Sequence, residues 1–261
     1  MKKLFNQRYL IKRSFFNKKP KPELQEHENE ILTSIKPIID NMIDETLSTR
    51  IPLIPKSDNK PTMFLEIEGV LFNCYSPHPT EGYITRPNKV EDFSIDLVTK
   101  EYYENYLIYM RPHYQEFINY IEKNFEVILF TFCREEFAIK LFETINTVNW
   151  DFLKFKLFQD SCSHIQSKED GLNDLTKVLQ GFNRDLNSSF LIDTRPIAFI
   201  AQPNNSIPVS EYNCVQDTNN KDKTLLEIIN FLEEIKDSKD IPTILKNKFK
   251  IESVLREINL F

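Results

Sequence analysis

Glycine is scarce in this chain, and long apolar runs are missing. Only 4 of the 261 residues are glycine, which argues against a glycine-rich loop that cradles nucleotide phosphates. No segment approaches the roughly 18 to 20 consecutive apolar residues that a bilayer span requires, so we expect no transmembrane helix of its own. The 4 cysteines are far apart and form no Cys-x-x-Cys pair, which argues against a zinc site and against a disulfide framework.

Large apolar side chains are plentiful instead. The chain is 41% hydrophobic and contains 21 phenylalanines, so it can bury one substantial core. We expect one main domain with extensions at both ends. The expected divisions are a basic segment at 1–22, a helical and proline-containing extension at 23–62, the main domain at 63–236, and an extension with a helix at 237–261.

Charge is distributed unevenly along the chain. Residues 1–22 contain eight lysines or arginines and no acidic residue, whereas the whole chain has a net charge of −6. Apolar residues interleave with these cations, a pattern typical of mitochondrial targeting segments. The alternative is a disordered basic arm that touches nucleic acid or acidic protein. Such an arm would usually continue its basic character into the domain, so we expect no direct nucleic-acid partner.

Strand-like and helix-like segments alternate through the main domain. The apolar segments 63–73, 126–131 and 189–193 predict buried strands. Amphipathic segments between the strands predict helices, including one over 172–179. This alternation predicts an α/β fold, a parallel sheet with helices on both faces, and the polar excursion at 74–105 predicts a hairpin-type insertion.

Polar side chains stand near the ends of three predicted strands. Glu66 and Glu68 belong to the first strand, Thr131 ends the strand over 126–131, and Asp193 ends the strand over 189–193. Ligands of parallel sheets bind beyond the carboxyl ends of the strands. We therefore expect these four residues to converge on one site.

The order of these segments resembles the haloacid-dehalogenase-like phosphatases, in the NLI-interacting-factor-like branch that removes phosphate from the C-terminal domain of RNA polymerase II. The resemblance runs from about Met63 to Leu232 and implies a Rossmannoid sheet. The motifs that carry it are the first strand, Arg111 with Pro112, and the segments 128–131, 174–176, 183–186, 191–193 and 202–208.

The resemblance implies a pair of aspartates after the first strand. The first carboxylate attacks phosphorus and binds Mg²⁺, and the second acts as general acid and base. Glu66 and Glu68 occupy these positions. The extra methylene of glutamate displaces the attacking oxygen by about an ångström, an error that can cost roughly 100-fold in rate.

The other positions implied by the resemblance are only partly retained. The lysine that neutralises phosphate aligns with Asn173, whose amide cannot balance the charge of the transition state. Thr131 matches the hydroxyl that contacts phosphate, and Asp193 remains from the last acidic pair. We therefore expect a pseudophosphatase with no catalytic residues and no required cofactor. Glu66 and Asp193 have the ligand type that could still hold Mg²⁺.

Within the family, the chain is most similar to the presequence receptors of the mitochondrial inner-membrane presequence translocase. The segments 192–196, 202–208 and 239–245 carry this similarity. It implies a non-enzymatic mitochondrial protein that binds basic amphipathic presequences and is held at the inner membrane through partners. A second hypothesis is an accessory subunit of a respiratory complex or the mitochondrial ribosome, in contact with other protein subunits. A third is a Mg²⁺-dependent phosphoprotein phosphatase.

Overall fold

The computed structural model of the chain describes residues 25–56, 58–76, 87–98, 103–167 and 172–257. The segment 1–22, for which targeting was predicted, lies outside the described residues. In this described part, no helix combines the length and the apolar character that a membrane crossing needs.

The elements follow one another in an alternating order. The strands are β1 (Thr62–Leu65), β2 (Phe72–Tyr75), β3 (Phe93–Val98), β4 (Tyr103–Met110), β5 (Glu126–Phe130), β6 (Phe155–Leu157), β7 (Ser163–Ser167), β8 (Leu172–Thr176), β9 (Ser189–Asp193) and β10 (Ser206–Pro208). The helices are α1 (Gln25–Thr49), α2 (Tyr114–Asn124), α3 (Glu135–Thr144), α4 (Thr224–Ile235), α5 (Ile241–Phe249) and α6 (Ile251–Glu257).

A five-stranded sheet in the order β10-β9-β1-β5-β6 forms the centre of the fold, and all of its strands are parallel. Every residue of β1 and β9 is buried, as is typical of strands that are covered on both faces. The register places Phe64 beside Ile128 on one side and Leu191 on the other. The predicted α/β fold with a parallel sheet is confirmed.

Apolar side chains of the sheet alternate between two cores. On one face Met63 and Leu65 pack in a cluster with residues of α2 and α4, including Phe117 and Leu232. On the other face Phe64 packs in a cluster with side chains from α1 and α6, which are Ile39, Met42, Ile251 and Leu255. The segments predicted as extensions therefore contribute to the same packing as the sheet.

The predicted strand over 63–73 is divided between two sheets. β1 ends at Leu65, and a turn with Gly69 at φ 75° leads to β2. Gly69 N–H donates to the carbonyl of Phe72 at 2.7 Å and closes this turn. β2 then joins a three-stranded antiparallel sheet in the order β2-β4-β3. This sheet is the insertion that the polar excursion predicted.

The helix predicted over 172–179 is wrong. Residues Leu172–Thr176 form β8, which pairs antiparallel with β7 and places Thr176 opposite Ser163. The spacing of the leucines fits a helix, but the backbone groups of this segment find their partners across the hairpin. The hairpin delivers the next residue, Lys177, to the carboxyl edge of the central sheet.

A candidate active site at the carboxyl edge of the sheet

A buried lysine joins two buried carboxylates at the carboxyl edge of the sheet. Lys177 Nζ donates to Glu66 Oε2 at 2.7 Å and to Asp193 Oδ2 at 2.6 Å. The side chains of Lys177 and Asp193 are fully buried, and that of Glu66 is 3% exposed. Charges removed from water in this way persist only when they are paired and hydrogen-bonded, so the three groups form one electrostatic unit.

The Glu66 carboxylate accepts hydrogen bonds on both oxygens. Oε1 accepts from the Thr131 hydroxyl at 2.5 Å and from the backbone N–H groups of Ile67 and Glu68. Oε2 accepts from the Phe132 N–H at 3.0 Å in addition to Lys177. Burial opposes ionisation, but the Lys177 charge and these hydrogen bonds outweigh it and lower the pKa of Glu66. Glu66 is therefore an anion at neutral pH.

Asp193 responds differently to the same surroundings. Burial is the largest cause that raises the pKa of Asp193, and the charge of Glu66 adds to it, although Lys177 opposes both. Burial disfavours the ammonium of Lys177, but Asp193 and Glu66 outweigh that effect and raise the pKa of Lys177. Asp193 Oδ1 also accepts from the Arg195 N–H at 2.8 Å. The same surroundings therefore shift the pKa values of Glu66 and Asp193 in opposite directions.

The second glutamate of the predicted pair lies at the rim. Glu68 is exposed, whereas Glu66 is buried. The Oε2 atom of Glu68 lies 3.8 Å from the thiol sulfur of Cys133. Burial raises the pKa of Cys133, so this thiol stays protonated. Two carboxylates in such different surroundings can divide the roles of attacking group and proton carrier.

Two cations lie against the ring of Phe132. Lys177 Nζ is 4.3 Å from the ring centroid and Arg195 Cζ is 4.1 Å from it. The Arg195 side chain is 32% exposed and pairs with Asp174 at 3.4 Å. Arg195 is therefore a cation that an incoming anion can reach from solvent, while Lys177 is covered.

The structure brings together most of the residues that were predicted for the site. Glu66 and Asp193 pair with Lys177, the Thr131 hydroxyl donates to Glu66, and Glu68 stands at the rim. Asn173 lies on β8, where its backbone pairs with Gln166, four residues before Lys177.

The site cation that was expected to be absent is present. The position of this cation was expected at Asn173, and neither Lys177 nor Arg195 was among the predicted site residues. One signal could have revealed Lys177, which is the only charge between Leu175 and Leu179, inside an apolar run.

The predicted metal ligands fit Mg²⁺ by chemical type. Mg²⁺ in enzymes is held through one or two carboxylates, with its other positions left to water and phosphate. Glu66 and Asp193 converge on the same ammonium, so both face one small volume. Among the described residues, no three acidic, histidine or cysteine side chains form a metal cluster. The two carboxylates are therefore compatible with Mg²⁺ binding at this edge of the sheet.

Comparisons with known proteins agree with this arrangement. A family model described as NLI interacting factor-like phosphatase matches residues 61–242. The chain is 28% identical over 214 residues to CTD small phosphatase-like protein 2 of Dictyostelium discoideum, over 81% of this chain and 34% of that protein. It is 24% identical over 161 residues to the human carboxy-terminal domain RNA polymerase II polypeptide A small phosphatase 1, over 62% of this chain and 57% of that protein. The chain thus spans about a third to somewhat over half of these curated relatives.

A solved structure is also similar. It is a variant of the fission yeast RNA polymerase II CTD phosphatase Fcp1 bound to beryllium fluoride, with 17% sequence identity and a TM-score of 0.44, over 89% of this chain and 68% of that chain.

These matches overturn one expectation from the sequence. The chain was expected to be a catalytically inactive mitochondrial subunit, either in presequence import or in a large complex. That expectation is wrong, because the matched family and the relatives named above are described as phosphatases. One of its two physical premises fails as well, since Lys177 supplies the cation that was thought to be missing.

Proposed function

Because the chain belongs to the NLI interacting factor-like phosphatase family, we propose that it hydrolyses phosphate monoesters on phosphorylated proteins. The observation that carries the proposal is the buried Lys177 between Glu66 and Asp193 at the carboxyl edge of the sheet. The relatives described above are named as phosphatases, and this edge of the sheet supplies a cation, a buried anion and an exposed acid in one place.

The hydrogen-bond donors that surround Glu66 bind the phosphate. Lys177 Nζ, the Thr131 hydroxyl and the Phe132 N–H all point at the Glu66 carboxylate. Donors that are fixed around one anion need little reorganisation to stabilise the charge on a phosphoryl group beside it. Arg195 adds a second cation at the rim, where a phosphorylated side chain enters.

Glu66 and Glu68 divide the chemistry. Glu66 is held as an anion, and one of its oxygens forms a bond to phosphorus while the bond from phosphorus to the substrate oxygen breaks. Glu68 gives its proton to the departing oxygen. A water then attacks phosphorus, its proton goes to the Glu68 carboxylate, and the bond to Glu66 breaks, which releases inorganic phosphate and restores the Glu66 carboxylate and the protonated Glu68.

Glu66 and Asp193 are the residues that would hold Mg²⁺, which would screen the charge of the phosphoryl group. The chain's own contribution is to keep these carboxylates aligned through Lys177.

The exposed rim favours a protein substrate. Glu68 and Arg195 both reach solvent, so the group that carries the phosphate can extend away from the chain. A phosphoserine or phosphothreonine on an extended peptide fits this opening. We therefore propose phosphoserine or phosphothreonine as the substrate group.

A phosphate-release assay on the purified full chain tests this function. We expect release from a phosphoserine peptide in Mg²⁺ that falls at least about 100-fold in Glu66→Gln, which removes the attacking charge. Glu122→Gln is the matched control, because Glu122 is an exposed glutamate on α2, and it should retain the activity. No release by the unaltered chain, or equal release by Glu66→Gln, would contradict the proposal.

The cellular location stays a prediction. The composition of residues 1–22 predicts mitochondrial targeting. A fluorescent protein fused to residues 1–22 would accumulate in mitochondria if the prediction is right and stay dispersed if it is not.

A further inference from the structure

An arginine at the end of α1 holds the segment that follows Lys177. One nitrogen of Arg50, Nη1, donates to the carbonyl of Val178 and to that of Gln180, the latter at 2.9 Å. The other nitrogen, Nη2, donates to the carbonyl of Ser161 at 3.3 Å. Ser161 precedes β7, and Val178 and Gln180 follow β8. A single guanidinium therefore ties together the two ends of the hairpin that supplies the site lysine.

The guanidinium of Arg50 also packs on an aromatic ring, and the backbone comes close to its side chain at Gly181. Its Cζ lies 3.9 Å from the centroid of the Phe182 ring. Gly181 has a φ of 84°, and a Cβ there would meet Leu47 Cδ2 at 2.8 Å and Arg50 Cδ at 3.1 Å. Burial lowers the pKa of Arg50 to about 10, which still leaves the group charged at neutral pH. The backbone at Gly181 therefore lies directly against Leu47 and Arg50, at the end of α1.

The backbone of Lys177 is held from a second direction by Gln202. The Gln202 amide Nε2 donates to the carbonyl of Lys177 at 2.9 Å, and its Oε1 accepts from the N–H of Leu179 at 3.2 Å. Arg50 and Gln202 together fix the backbone from Lys177 to Gln180. A lysine side chain is a flexible stem with a point charge, so the position of its ammonium depends on where its backbone is anchored.

We propose that Arg50 is a positioning residue for the phosphatase site. It fixes segment 177–180, and through it the Lys177 ammonium against Glu66 and Asp193. This inference rests on the proposed function. The family model matches residues 61–242, and Arg50 lies before this region. The site is therefore supported by a residue from outside the matched region.

Two substitutions separate the charge of Arg50 from its shape. Arg50→Lys keeps the charge but removes the planar fork, and Arg50→Met removes both. We expect kcat to fall by about 10- to 100-fold in both, with KM changed much less, because a displaced ammonium weakens stabilisation of the transition state. The matched control is Arg184→Lys, which breaks another two-bond arginine pair, with Glu126 at the opposite edge of the sheet, and should leave kcat unchanged.

Amide hydrogen exchange provides a readout that does not require turnover. The N–H of Leu179 donates to Gln202, and Arg50 holds the carbonyls of Val178 and Gln180 on either side of it, so this N–H should exchange more slowly in the unaltered chain than in Arg50→Met. If the unaltered chain shows no turnover, the proposed function fails while this exchange still tests Arg50. Unchanged kcat and an unchanged exchange rate in both variants, with only a lower melting temperature, would overturn the role of Arg50.

Discussion

Lys177 Nζ lies 2.6 Å from Asp193 Oδ2, and neither side chain is exposed to solvent. The lysine comes from the end of a hairpin and the aspartate from the end of a central strand. Together with Glu66 at the end of β1, they make the site depend on three separate parts of the chain. We expect this pairing to affect both the free energy of unfolding and turnover.

Removal of the lysine charge should be costly in both respects. Lys177→Met leaves two buried carboxylates without their cation, so we expect the free energy of unfolding to fall by about 3 to 5 kcal/mol. Turnover should fall by at least about 100-fold, because the phosphoryl charge loses its partner. Urea denaturation and phosphate release measure the two effects. The triple variant Lys177→Met, Glu66→Gln, Asp193→Asn removes the unpaired charges and should regain stability, and a triple variant no more stable than Lys177→Met would contradict the pairing.

Shortening Glu66 tests whether the site is built for glutamate. The Glu66 carboxylate reaches both the Thr131 hydroxyl and the Phe132 N–H, and an aspartate at this position falls short by about one bond length. We therefore expect Glu66→Asp to lower kcat by about 10- to 100-fold. Steady-state kinetics, with Glu122→Asp on the exposed face of α2 as the control, measure this effect. A higher kcat in Glu66→Asp would show instead that the longer acid misplaces the attacking oxygen.

Arg195 should act on substrate binding. Its guanidinium is partly exposed and weakly paired, so a phosphopeptide can replace Asp174 as its partner. Arg195→Gln should raise KM about 5- to 10-fold, with a smaller effect on kcat and little effect on the melting temperature. Arg195→Lys keeps the charge and should retain part of the affinity. If KM is the same in all three proteins, Arg195 does not contact the substrate.

The loss of folding stability at acidic pH should depend on Glu126. Burial opposes ionisation of Glu126, but its hydrogen bonds from Arg184 and Thr62 outweigh it and lower the pKa of Glu126 below its ordinary value of 4.5. A carboxyl whose pKa is lower in the folded state contributes stability above about pH 4.5, and this contribution is lost as the pH falls through the folded pKa. Urea midpoints from neutral pH to about pH 3 should therefore fall less steeply in Glu126→Gln than in the unaltered chain. Parallel curves would contradict this assignment.

The central sheet could be predicted from the sequence because its strands carry their own signal. The apolar runs around Phe64, Ile128 and Leu191 are buried on both faces and read as parallel strands, and the polar residues at their ends converge as expected. Glu66, Thr131 and Asp193 were found in this way. Their convergence follows from strand direction alone, which local sequence specifies well.

The hairpin and its lysine could not be predicted in the same way. Leu172 and Leu175 have a spacing that fits a helix, and only pairing with β7 decides for a strand. Separately, the resemblance to the family placed the expected cation at Asn173, which made the site appear to lack its cation. The supports of Lys177 were hidden for a related reason, since Arg50 and Gln202 are far from it in sequence and meet it only through the folded backbone.

The most direct test of the central claim is a search for a phosphoryl group on Glu66 during turnover. The full chain is mixed with a phosphoserine peptide, quenched in acid, digested and mapped by mass spectrometry. We expect a phosphoryl group on the fragment that contains Glu66 in the unaltered chain, and none on the same fragment of Glu66→Gln. Turnover without any phosphoryl group on that fragment, or no turnover at all by the unaltered chain, would contradict the claim that Glu66, held by Lys177, is the attacking carboxylate.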